Sequence, residues 1–186
     1  ALRNAGGGSL YFPRGTYLID SFDWDWIAGG VGKLLLKGDG SATIIQKRTN
    51  DGATFFTIGR DDTTQTFQGQ VYVEDLQIYG INGGAEKVLD LWSLTVSRFS
   101  NMRVRYGSKA ISLNNCVTCL GVNVVGSDSG TGLYVKKTTF GDATYSNPNL
   151  NTFIGSAFKD NTTYGIDYDD GSEIILDGTQ IESNGT

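Results

Sequence analysis

The chain repeats itself at a fixed interval. The segment "FIGSAFKDNTT" beginning at Phe153 returns as "LDGTQIESNGT" at Leu176, so that Gly155, Ser156, Phe158 and Asn161 are answered by Gly178, Thr179, Ile181 and Asn184. The tetrapeptides "VLDL", "AISL", "GLYV" and "GIDY" begin at residues 88, 110, 132 and 165, giving steps of 22, 22 and 33. In that alignment Leu89, Ile111, Leu133 and Ile166 make one apolar column, and Leu91, Leu113, Val135 and Tyr168 make a second. Asp90, Ser112, Tyr134 and Asp167 fall between them, and strand alternation puts them on the opposite face. Leu76/Ile78, Met102/Val104 and Val122/Val124 form a further series, with Gln77, Arg103 and Asn123 as its outward column. Short alternating strands alone would suit a sandwich. A period of about 22 residues holding two or three strands fits one turn of a right-handed, single-stranded parallel β-helix, an all-β solenoid. Asn161 and Asn184 then fall at one corner of successive coils, where asparagine tolerates left-handed backbone.

Composition narrows the function. There are 26 glycines and only 2 prolines in 186 residues, the signature of many tight turns. The net charge of -5 argues against a nucleic-acid partner and gives no long-range attraction for an acidic polymer, which would need local contacts. Histidine is absent, which removes the commonest general base and zinc ligand. Cys116 and Cys119 form one isolated pair, read as buried free thiols. No apolar run approaches the roughly 18 residues of a membrane helix. The one methionine, Met102, is internal, and the pattern stops partway through a coil. Because a bare last coil would expose apolar side chains and unpaired edges, the solenoid is expected to continue beyond both ends of the 1–186 segment.

The N-terminal block carries a resemblance. "ALRNA" reads as the end of a helix stopped by glycines; it is followed by Gly7-Gly8, then Phe12-Pro13-Arg14-Gly15-Thr16-Tyr17, and later Gly38-Asp39-Gly40 after an apolar strand. This succession resembles the opening of the pectate-lyase-like parallel β-helix family, especially bacteriophage tailspikes and polysaccharide depolymerases. "GSAFKDN" and "GTQIESN" look like that family's later coils. The matching residues are turns, corners and core positions, so no catalytic residue carries over. The resemblance implies an elongated homotrimer on a phage tail, or an extracellular protein, that binds bacterial surface polysaccharide and depolymerises it by glycosidic hydrolysis. A secreted polysaccharide lyase and a non-catalytic receptor-binding stalk are the alternatives.

Glycoside hydrolysis needs two carboxyl groups about 5 Å apart for retention or about 6.5–9.5 Å for inversion. The acidic stretch "GIDYDDGSEIILDG" supplies the candidates. Asp167 is first, because alternation turns it outward, followed by Asp177 and Glu173. Glu182 is read as a corner residue. Tyr134 and Trp92 are candidate sugar contacts through their ring faces. Residues 136–150, "KKTTFGDATYSNPNL", form a polar insertion that lengthens one coil, with Lys136, Lys137 and Tyr145 as its candidate ligand contacts. The acids lack the spacing of a calcium loop, so no metal and no cofactor is expected.

Overall fold

The computed structural model describes residues 7–24, 33–59, 70–137, 148–169 and 173–185. The expected helix end at residues 1–5 lies outside them, as does most of the insertion. Eighteen strands occur among the described residues, and every pairing between them is parallel. The chain is a parallel β-helix.

Its strands stack on three flanks. The first runs through β1 (Gly7–Tyr11), β4 (Lys33–Lys37), β7 (Gln70–Glu74), the leading halves of β10 (Arg98–Arg105) and β12 (Leu120–Ser127), β14 (Asn151–Ile154) and β17 (Ile174–Asp177). The second runs through β2 (Gly15–Ile19), β5 (Thr43–Lys47), β8 (Gln77–Tyr79), the trailing halves of β10 and β12, β15 (Ala157–Lys159) and β18 (Gln180–Glu182). These two flanks are one continuous sheet, because β10 and β12 run through the corner between them. The third flank is a separate sheet of β3 (Phe22–Trp24), β6 (Phe56–Ile58), β9 (Lys87–Trp92), β11 (Lys109–Asn114), β13 (Thr131–Lys136) and β16 (Tyr164–Asp169).

The register on this third flank reproduces the sequence columns. Leu89, Ile111, Leu133 and Ile166 are successive partners, as are Leu91, Leu113, Val135 and Tyr168. The first three members of each column are buried in one core with Leu34, Val71, Phe99, Val104 and Phe158. Apolar burial of this kind supplies about 1.5–3 kcal/mol per large side chain. Tyr168 sits on the edge strand β16 and stays 38% exposed.

Two sequence expectations change. Met102 pairs with Val124 and Arg103 with Val125, so the Val122/Val124 series is displaced by two residues. The reason is the corner. Asn101 (φ 51°) and Asn123 (φ 53°) are both left-handed and turn the chain together, the Asn123 amide donating to Asn101 Oδ1 at 3.1 Å. Asn123 is therefore a corner residue and Val125 takes the outward place beside Arg103. The second change concerns Asn161 and Asn184. The left-handed residues at that corner are their predecessors, Asp160 (φ 56°) and Ser183 (φ 53°). The asparagines instead form an internal ladder: Asn161 Nδ2 donates to Asn184 Oδ1 at 2.9 Å, and Asn161 Oδ1 accepts from the Ser129 amide at 3.2 Å. They satisfy backbone groups that the turn leaves without strand partners.

The N-terminal motif is structural. Asp39 accepts the Tyr11 hydroxyl at 2.6 Å and the Arg14 amide at 3.0 Å, tying the Phe12-Pro13 turn to the next coil. A Cβ on Gly38 would lie 2.5 Å from the Asp75 carbonyl oxygen, so only glycine lets the coils approach there. Cys116 and Cys119 are buried free thiols. No helix among the described residues is long and apolar enough to cross a membrane.

Candidate functional site

The outer face of the third flank is where chemistry-bearing side chains converge. Because Leu89, Leu91 and their partners fill inward positions, Asp90 and Trp92 with their partners project outward. Val88 and Ala110 are also in the core, which breaks the alternation and leaves the preceding Lys87 reaching the outward Asp90, so that three columns line the face. These are Lys87–Lys109–Thr131–Tyr164, Asp90–Ser112–Tyr134–Asp167 and Trp92–Asn114–Lys136–Asp169. A solenoid exterior is ordinarily wet, yet Asp90 is 4% exposed, Tyr134 8% and Ser112 fully buried. Polar groups withdrawn from water on an outer face are unusual and must be paired or functional.

Most are paired. Asp90 accepts Trp92 Nε1 at 2.9 Å and Asn114 Nδ2 at 2.9 Å, and meets Lys87 Nζ at 3.1 Å. Lys87 also lies 5.4 Å from the Trp92 ring centre. One coil on, Lys109 Nζ stands 3.0 Å from the centre of the Tyr134 ring, a cation on an aromatic face. The Tyr134 hydroxyl donates to Asp169 Oδ2 at 3.1 Å. Burial, this hydrogen bond and the charges of Asp169 and Asp167 push the tyrosine up to about 12, so it remains a proton donor at neutral pH. Burial pulls Lys109 below the usual lysine range, aided by Lys87 and Lys136 and opposed by Asp167 and Asp90. Among the described residues the Ser112 hydroxyl has no hydrogen-bond partner.

Two carboxylates share one edge of this face. Asp167 is half-buried and Asp169 exposed, two residues apart on β16. Strand geometry sets their Cα atoms about 6.6 Å apart on the same side, within reach of the separations that glycosidases use.

No family model matches the sequence, and no curated protein matches it. Among solved structures, ORF18 of Geobacillus virus E2 superposes on 96% of the chain with a TM-score of 0.73 at 23% identity. The chain spans 33% of that protein's length. The A-module of mannuronan C-5 epimerase AlgE4 from Azotobacter vinelandii gives 0.47 at 16% identity, covering 98% of this chain and 65% of that one. The catalytic domain of a GH87 alpha-1,3-glucanase in complex with nigerose gives 0.48 at 15%, covering 92% and 40%. At these identities the likeness shows the fold alone.

Of the residues selected from sequence, the β-helix brings Asp167, Tyr134, Trp92 and Lys136 onto this one face. Lys137 follows directly, its amide donating to the Asp169 carbonyl at 3.2 Å. Asp177 belongs to a different sheet, at the end of β17 opposite Ile154, and Glu173 is exposed just before that strand. Glu182 is exposed on β18, its carboxylate 3.8 Å from Lys159 Nζ. Tyr145 lies outside the described residues. Sequence reasoning did not select Lys87, Lys109, Asp90 or Asn114, and it placed Asp169 in the acidic stretch without choosing it. The signal was present for two of them, since Lys87 and Lys109 occupy the same place in consecutive 22-residue steps.

Proposed function

We propose that the chain is the glycan-binding β-helix of a phage tail protein that cleaves bacterial surface polysaccharide by glycosidic hydrolysis on its third flank. The observation that carries this reading is the outward pair Asp167 and Asp169 beside the buried Tyr134 and the half-buried Lys109 and Trp92. The half-buried Asp167 serves as proton donor to the leaving oxygen. Asp169, oriented by the Tyr134 hydroxyl, is the partner carboxylate that activates water or attacks the sugar. Trp92 offers a ring fixed by its hydrogen bond to Asp90, against which an apolar sugar face can rest. Lys136, the first residue of the insertion, adds a cation at the edge of this face. The likeness in fold to a virus protein supports the phage setting.

The first flank suits self-association into a homotrimer. Its outward positions mix Leu35, Tyr72, Leu120, Val122, Ile154 and Ile175 with Lys37, Glu74, Arg98 and Asp177, an exterior of both apolar and charged contacts. A one-chain mass for the parent protein by light scattering would remove that part of the reading.

Hydrolysis is tested by reducing-end release from bacterial capsule and lipopolysaccharide glycans, using the parent protein and its Asp167→Asn variant. Loss of at least about a hundredfold in rate, with unchanged melting temperature, is expected for removal of the acid. Equal release by both proteins would place the acids elsewhere. Binding without release would leave a receptor-binding stalk, a reading favoured by the full internal pairing of Asp90.

A further inference from the structure

The third flank contains a charge arrangement that its own fold does not require. Lys87 and Lys109 are register partners on neighbouring strands. Like charges placed directly opposite across strands destabilise a sheet. The partners of Lys87 are Asp90 at 3.1 Å and the Trp92 ring. Lys109 has no ion pair among the described residues; its ammonium rests on the Tyr134 ring. Of the nearby carboxylates, Asp90 is engaged by Trp92 and Asn114 as well as Lys87, Asp169 by Tyr134, and Asp167 acts on Lys109 only through its charge, without an ion pair. Elsewhere, cations withdrawn from water are matched: Arg105 meets Asp128 at 2.9 Å and the buried Lys47 meets Asp51 at 2.6 Å.

A second observation falls at the same place. Ser112, on the strand that carries Lys109 and between Asp90 and Tyr134 in their column, is fully buried with an unpartnered hydroxyl. Leaving a buried hydroxyl unpaired costs about 1–3 kcal/mol. Asp90 answers Lys87, but the Lys109 ammonium and the Ser112 hydroxyl on the next strand are donors with no acceptor among the described residues, which is the complement of an anion. The sugar-binding reading of this flank states what carries the anion.

We propose, resting on that reading, that Lys87, Lys109 and Ser112 form a subsite for the carboxylate of an acidic sugar, so that the glycan bound here is an anionic, uronate-type polysaccharide. The carboxylate takes the charge-assisted hydrogen bonds of the lysines, and movement of the Lys109 side chain off the Tyr134 ring gives it access to the Ser112 hydroxyl. The sugar ring then lies toward Trp92. Burial holds Lys109 below the ordinary lysine range, and an anion at its ammonium reverses that shift. The chain's net charge of -5 repels acidic polymers at long range, so this recognition is local.

The test uses the parent protein and a panel of acidic and neutral capsular polysaccharides, each acidic one also in carboxyl-reduced form, with binding followed by calorimetry. Expected are binding of an acidic polysaccharide, loss of about tenfold or more on carboxyl reduction, and a similar loss in Lys109→Gln. Lys109→Arg keeps most of the affinity, and the melting temperature of Lys109→Gln stays level or rises because the like-charge pair is gone. Equal affinity for native and carboxyl-reduced forms, or an unaffected Lys109→Gln, overturns the anionic subsite and leaves the glycan-binding reading standing. Failure to bind either class overturns both.

Discussion

Asp90 shows how a residue on the outside of a solenoid can become part of its frame. Its carboxylate collects Lys87, Trp92 and Asn114 from two adjacent strands and is almost fully buried. Asp90→Ala should destabilise the protein by about 2–4 kcal/mol, because three donors lose their acceptor together. Urea unfolding measures this, and a change below about 0.5 kcal/mol would show that the cluster is wet. The sequence announced Asp90, Tyr134 and Asp167 as outward residues, since alternation alone fixes the face of a strand. It did not announce that Asp90 and Tyr134 would be buried. That depends on side chains from neighbouring coils, Asn114 of the following coil on Asp90 and Lys109 of the preceding coil over Tyr134, which no single strand pattern contains.

At the scale of elements, strands and corners differ in legibility. The strands of the third flank were readable because period-two alternation and the 22-residue step agree. One corner column runs through Asp75, Asn101 and Asn123 to Gly155 and Gly178, all left-handed with φ between 51° and 56°. Aspartate, asparagine and glycine are the residues that accept this backbone, so the column is legible once the register is known. Another corner is built from Val96 (φ 48°), Thr118 (φ 57°) and Leu150 (φ 53°), and nothing in these residue types signals it. The parallel bridges Thr95 to Val117 and Val117 to Asn149 hold the three in place. A β-branched residue is strained there, and Val96 is 51% exposed, so little burial offsets the strain. Val96→Gly should therefore stabilise the protein by about 1 kcal/mol, read as a raised urea midpoint. A lowered midpoint would mean that the Val96 side chain contributes more by its contacts than its backbone costs.

For the whole molecule, carboxylates fasten coils and turns, Asp20 and Asp39 between successive coils and Asp51 within one, and set the acid limit of stability. The Arg48 hydrogen bond holds Asp20 below the usual carboxylate range, the Tyr11 hydroxyl does so for Asp39, and Lys47 for Asp51. A folded-state value below the unfolded one makes a contribution that is complete above the ordinary aspartate value of about 3.9 and is lost as the pH falls through the folded values. The melting temperature should accordingly be insensitive to these groups between about pH 8 and pH 5 and drop below about pH 4. A steep loss already near neutral pH would contradict this assignment.

The third flank gathers acidic, basic and aromatic side chains on its exterior, while the first mixes apolar residues with Lys37, Glu74 and Arg98. The central claim is that glycan lies along the third. Lysine acylation of the parent protein, with and without a polysaccharide it binds, reads this directly by mass spectrometry. Lys87, Lys109 and Lys136 should be protected by the glycan, while Lys33 and Lys37 on the first flank and Lys159 on the second react as before. Protection of Lys33, Lys37 or Lys159 with Lys87, Lys109 and Lys136 unchanged would put the glycan on another face and contradict the account.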